Sequence, residues 1–163
     1  IFAFFKPSNI FDRDIFIDDV LSKKKLQLIS IIDPSAVVSD SARVGVGTYV
    51  APNVFIDSDV RIGENCIILF NSVISREVEI ASNCFISAGC VLKGSVSIKK
   101  SSFISANVSV AKSIYEEAFV NAGVVLTEEI RETSIVSAER TFIKILLPTD
   151  KKKAKKRLRY LHP

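Results

Sequence analysis

Residues 32–110 read IDPSAVVSDSARVGVGTYVAPNVFIDSDVRIGENCIILFNSVISREVEIASNCFISAGCVLKGSVSIKKSSFISANVSV. An aliphatic residue returns every six positions without a miss: Ile32, Val38, Val44, Val50, Ile56, Ile62, Ile68, Ile74, Ile80, Ile86, Leu92, Ile98, Ile104 and Val110. A helix repeats at about 3.6 residues and a half-buried strand at about 2, so neither produces this spacing. A short fixed period of this kind marks a solenoid, in which each coil packs only on its neighbours.

A second column follows four residues after each anchor: Ala36, Ala42, Thr48, Val54, Val60, Cys66, Ser72, Val78, Cys84, Cys90, Val96, Ser102 and Val108, all small or β-branched. A bulky anchor with a compact partner suits a chain that runs straight, turns a corner and runs straight again. Three six-residue segments close a triangular coil of eighteen residues. Coils then stack as parallel strands about 4.8 Å apart. Val and Ile fit such a pleated, fully paired wall.

Side chains alternate along a strand, so the residue before each anchor points outward. The first wall then presents Ile31, Tyr49, Ile67, Phe85 and Phe103, and the second Val37, Phe55, Val73, Val91 and Ser109. The third presents Arg43, Arg61, Glu79 and Ser97. Two apolar outer stripes and one polar wall predict an oligomer with two contact faces per subunit, a homotrimer.

The register is interrupted once after Val110: Ile114, Val120 and Leu126 resume it with one segment two residues short, and the pattern fades from Thr127 to Val136. Gly45, Gly63 and Gly89 fall near corners, where a positive φ is expected. Residues 1–30 do not follow the period. Ile1–Phe5 reads as a strand, and Asp12–Lys25 as an amphipathic helix whose closing lysines suit a C-terminal dipole. The expected organisation is 1–30 as the remnant of an N-terminal α/β segment, 31–136 as a parallel β-helix, and 137–163 as an extension. The chain opens on Ile1 and contains no Met, so its start is expected upstream.

The 163 residues, 48% hydrophobic and 25% charged, describe a globular chain. No apolar run approaches the roughly 20 residues of a membrane span, and no signal peptide is visible. Lys151–Arg159 holds seven cations in nine residues; without them the formal charge of +4 becomes negative. That tail reads as a solvated segment, with an anionic membrane, nucleic acid or the phosphates of a cofactor as its functional alternatives; with only Tyr160 near to offer stacking, nucleic acid has little support. Cys66, Cys84 and Cys90 all lie in the compact column and read as reduced core thiols. With no CxxC and a single histidine, His162, no metal site is expected, and a reducing cytoplasm is the expected compartment.

The hexapeptide period resembles that of the left-handed parallel β-helix acyltransferases. The left hand comes from that resemblance. Residues 26–137 are similar to sialic acid O-acetyltransferases and bacterial UDP-amino-sugar N-acetyltransferases. Ile32-Asp33-Pro34-Ser35-Ala36 resembles the entry phrase I-H-P-S-A of that family, and Ile86–Val96 resembles I-S-P-G-A-x-L-x-G-N-V. Ala106-Asn107 resembles its G-A-N corner. The resemblance implies acetyl-CoA as cosubstrate, a sugar or nucleotide-sugar acceptor and a homotrimer.

In the family a His followed by an acidic residue deprotonates the acceptor. The matching positions here are Arg76 and Glu77. Arginine stays protonated and cannot act as a base, which leaves Glu77 as the candidate. The second family His, which helps hold the acetyl group, corresponds to Phe85, and the entry His to Asp33. The small residues that line the coenzyme A groove correspond to Gly94, Ala106 and Ala122. Two readings follow: an acetyltransferase with its usual base replaced, or a catalytically inactive β-helix serving binding or assembly.

Overall fold

The computed structural model describes residues 17, 19, 27–130, 134–136 and 144–145. Its body is a parallel β-solenoid, with three sheets of eight, six and four strands. Pairing skips two strands at each step: Tyr49 lies beside Ile31 and Ile67, Phe55 beside Val37 and Val73, Arg61 beside Arg43 and Glu79. Each coil therefore has three sides, as the period demands. The first wall runs from strand Ile31–Ile32 to strand Ser134–Val136, the second from Val37–Val38 to Val125–Leu126, and the third from Arg43–Val44 to Ser97–Ile98. Single bridges extend the third wall to Ile114 and Ile130.

The anchors fill the prism. From Val50 onward every one is buried, including Ile68, Ile74, Ile86, Leu92 and Ile104 at 0% exposure. Each such side chain contributes about 1.5–3 kcal/mol of transfer free energy. At the first coil Ile32 is exposed.

The compact column does more than fill space at the corner between the third and first walls. Ser30, Thr48, Cys66, Cys84 and Ser102 each donate to a carbonyl of the following coil, at 2.8, 2.9, 3.2, 3.2 and 2.9 Å respectively. The two thiols thus serve as weak donors in a hydroxyl column rather than as plain apolar filler. Cys66, Cys84 and Cys90 are free and buried.

Corners turn through the left-handed region at every sixth residue. Asn53, Asp59, Asn65, Asn71, Asn83 and Asn107 occupy it, as do Gly47, Gly89 and Gly123. Asn and Asp tolerate this conformation because a short polar side chain can bond locally. Of the three glycines expected there, Gly89 has φ 68°, whereas Gly45 and Gly63 do not adopt it. Their need is space: a Cβ on Gly63 would stand 2.6 Å from the Ser82 nitrogen, and one on Gly45 2.5 Å from the Gly63 carbonyl carbon.

Two further expectations are corrected. The ladder does not fade after Thr127. Ile114 pairs with Ile130 and Val120 with Val136, so the four-residue step from Val110 to Ile114 recurs from Leu126 to Ile130. The final coils hold sixteen residues, both shortened at the corner between the second and third walls. The first wall, expected to be exposed, is buried from Ile67 to Phe119, while Ile31 at its start is exposed. Ile67, Phe85, Phe103 and Phe119 are 1–8% exposed and form a second apolar cluster outside the prism. The rings of Phe85, Phe103 and Phe119 stack at centroid distances of 4.8 and 4.6 Å. Strand Lys144–Ile145 pairs antiparallel with Ser134–Val136 and closes that edge of the sheet. Among the described residues the second wall keeps an exposed apolar stripe along its length, through Val37, Phe55, Val91 and Val125.

Of the expected N-terminal helix, Ile17 and Asp19 are helical, the first buried and the second exposed. The rest of that helix, the Ile1–Phe5 strand, the basic tail and His162 lie outside the described residues. No helix among the described residues is long and apolar enough to cross a membrane.

Candidate functional site

Arg76 and Glu77 form a turn at the corner between the second and third walls, following strand Val73–Ile74. One coil earlier the same corner carries Asp57 and Ser58, and one coil later Gly94 and Ser95. Together with Ser75 these residues line an open groove of about 370 Å³. Every side chain in it is polar.

The backbone holds the three turns in register. The Glu77 amide donates to the Ser58 carbonyl at 3.1 Å, and the Ser95 amide to the Arg76 carbonyl at 3.0 Å. Gly94 permits this stacking, because a Cβ there would sit 3.2 Å from the Arg76 carbonyl oxygen. Glu77 itself has φ 61°, an uncommon conformation for a long side chain. Its Oε2 accepts a 2.8 Å hydrogen bond from the Ser95 hydroxyl. Its Oε1 stands 4.0 Å from Nε of Arg76, with both side chains more than half exposed. A solvated pair at that separation contributes only about 0–1 kcal/mol, so the serine is the firmer constraint on the carboxylate. Asp57 Oδ1 accepts from the Ser58 amide at 2.7 Å and is thereby turned back on its own loop.

The other candidates lie elsewhere in the chain. Ala106 and Ala122 occupy the corner between the first and second walls, across the exposed wall from Gly94. Beside Ala122, a Cβ built on Gly123 would meet nothing within 4 Å, so that corner is open. Phe85 belongs to the covered first wall. Its ring is 4% exposed and stacked on Phe103, so it is not presented to the groove of Arg76 and Glu77. Asp33 is committed to its own turn, where it accepts the Ser35 hydroxyl at 2.6 Å and the Ser35 amide at 2.9 Å. These bonds, the hydroxyl first, hold its carboxyl below the usual range. Ser95 and Asp57 were absent from the sequence reading. The signal was available, since adding or subtracting one coil from Glu77 leads to Ser95 and to Asp59, two residues past Asp57. No cluster of three metal-ligating side chains occurs among the described residues.

A triangular stack of short parallel strands with a six-residue period defines a hexapeptide-repeat β-solenoid. The chain belongs to the GMPPB C-terminal domain family, whose profile matches residues 27–141. Among solved structures it is similar to the acetyltransferase domain of PglB from Neisseria gonorrhoeae in complex with acetyl coenzyme A. The TM-score is 0.76 at 20% identity, over 85% of this chain and 67% of that one. PerB from Caulobacter crescentus, in complex with CoA and GDP-perosamine, gives 0.72 at 26% identity, over 86% and 68%. WeeI from Acinetobacter baumannii gives 0.77 at 19%, over 83% and 67%. The chain thus spans about two thirds of each of these proteins. No curated protein sequence matches it.

Proposed function

We propose that this chain is an acetyl-CoA-dependent acetyltransferase acting on a sugar or nucleotide sugar, with Glu77 as the base where its relatives use histidine. The observation that carries the reading is the Glu77 carboxylate, fixed by Ser95 in an open polar groove. Similarity to PerB, which binds CoA and GDP-perosamine, supports the same substrates. Acetyl-CoA would supply an activated thioester, whose C–S bond is exchanged for a C–O or C–N bond to the acceptor. Glu77 takes the proton that the attacking hydroxyl or amine must lose. Arg76 cannot take it, and its fixed positive charge suits an anionic group on the acceptor. The hydroxyls of Ser58, Ser75 and Ser95 suit a polyhydroxylated ring.

The candidate positions flank the second wall, with Arg76, Glu77 and Gly94 along one edge and Ala106 and Ala122 along the other. An exposed apolar wall between them favours a shared site completed by another subunit, and we propose a homotrimer. With the first wall covered, that trimer relies on the second wall. Three buried free thiols fit a reducing compartment, the cytoplasm.

A second reading, a catalytically inactive binding or assembly module, is favoured by the guanidinium at the imidazole position. Calorimetry with coenzyme A, followed by turnover with nucleotide-linked amino-sugar acceptors, separates the two. Acetyl transfer that falls about 10²–10⁴-fold in Glu77→Gln, the span usual for a lost general base, supports the enzyme. Coenzyme A binding with no product leaves the module.

A further inference from the structure

We infer that Ser95 is the positioning residue of this site, holding the Glu77 carboxylate in the orientation from which it takes the acceptor proton. The inference rests on the acetyl-transfer reading and assigns Ser95 a role within it. Four observations converge. The Ser95 hydroxyl donates to Oε2 at 2.8 Å, while Oε1 stands 4.0 Å from Nε of Arg76 and is the less constrained oxygen. The two residues come from successive coils, so this bond ties the acid to the wall beneath it rather than to its own turn. Both occupy the left-handed region, Glu77 at φ 61° and Ser95 at φ 60°. Of the ten non-glycine residues in that conformation, six are Asn or Asp and only Glu77 and Glu117 carry a longer side chain. The fold imposes this conformation at each corner, and at this one it seats a long carboxylate beside a hydroxyl at the groove.

The chemistry favours this arrangement. A carboxylate on an exposed turn samples several rotamers. Proton abstraction needs one oxygen within about 2.6–3.2 Å of the acceptor. A hydroxyl that engages the other oxygen selects that geometry without neutralising the base. Ser95 can do so because Gly94 lets its turn seat directly under the Arg76 carbonyl. The bond is made at the groove surface and is not needed for the core.

The test compares Ser95→Gly and Ser95→Asn in the full chain, with acetyl-CoA and a nucleotide-linked amino sugar. Glycine removes the hydroxyl and tolerates the backbone; asparagine restores a donor and also tolerates it. Ser95→Gly is expected to lower kcat about 10–100-fold, the scale of a small misplacement in a reacting group. KM for acetyl-CoA should stay unchanged, and Ser95→Asn should recover most of the loss. In a Glu77→Gln background, Ser95→Gly should have no further effect, because the two residues act along one path. An active wild type whose kcat is untouched by Ser95→Gly overturns the positioning role and leaves the acetyl-transfer reading intact. So does an equal loss in the Glu77→Gln background. A wild type that neither binds coenzyme A nor forms product removes the reading itself, and the inference with it.

Discussion

Phe103→Ala tests the covered wall most directly. The Phe103 side chain is 6% exposed and stacks on Phe85 at 4.8 Å and Phe119 at 4.6 Å. Truncating a buried Phe to Ala costs about 3–5 kcal/mol, which includes the cavity left behind. Loss of two stacking partners, each about 0.5–1.5 kcal/mol, places this site near the middle of that range or above it, about 4 kcal/mol. That is a large share of the roughly 5–15 kcal/mol that holds a domain together. With a urea m-value of about 2 kcal/mol/M, the midpoint should fall by about 2 M. Phe55, the outward residue of the second wall, is 41% exposed and provides the control. Its alanine variant should lose only about 1 kcal/mol at concentrations where the chain is monomeric. Urea titrations followed by far-UV circular dichroism read both. Equal, small shifts for the two variants would refute the argument, because they would mean that the first wall is as open to water as the second.

Other outcomes follow from the geometry. Gly63→Ala should cost about 2–3 kcal/mol through overpacking against the rigid backbone of Ser82, while Gly123→Ala, with open space at its Cβ, should cost only the left-handed penalty of about 1 kcal/mol; thermal melts compare them. Burial, and then the nearby Cys66 thiol, push the Cys84 thiol well above its ordinary value of 9.0. The folded chain therefore keeps that proton while the unfolded chain releases it, so its contribution is intact below about pH 9 and declines as pH rises further. Cys84→Ala should flatten the alkaline limb of stability against pH, and a limb unchanged from wild type would contradict the burial. Phe55→Asp should shift sedimentation toward the monomer; an unaltered mass would exclude the second wall from the interface.

The six-residue beat made the prism legible, because an anchor that must enter the core once per side leaves a mark on every segment. Alternation then told which residues face outward, and the polar third wall with its Arg61–Glu79 pair at 3.6 Å is as expected. What alternation could not tell is whether an outward face stays exposed in the folded chain. Phe85 and Phe103 carried the same pattern as Phe55, and only the three-dimensional path separates them. Gly45 and Gly63 were readable as corner glycines, yet their constraint comes from a neighbouring coil, eighteen or nineteen residues away. The second short step was hidden because it leaves only Ile130 and Val136 as witnesses. At the candidate site, resemblance located Arg76 and Glu77, but Ser95 emerges only when residues are compared one coil apart.

The repeated sixteen-residue spacing has a bearing on the groove. Asp59, Glu77 and Ser95 project from three successive turns like teeth on one edge, and at the next level the edge loses its tooth, since Ala111 to Ser113 spans what five residues span elsewhere. The notch so produced lies directly past Ser95. Two residues spliced in beside Lys112 would restore the missing projection, and acetyl-CoA titrations on that variant would report whether a ligand uses the gap.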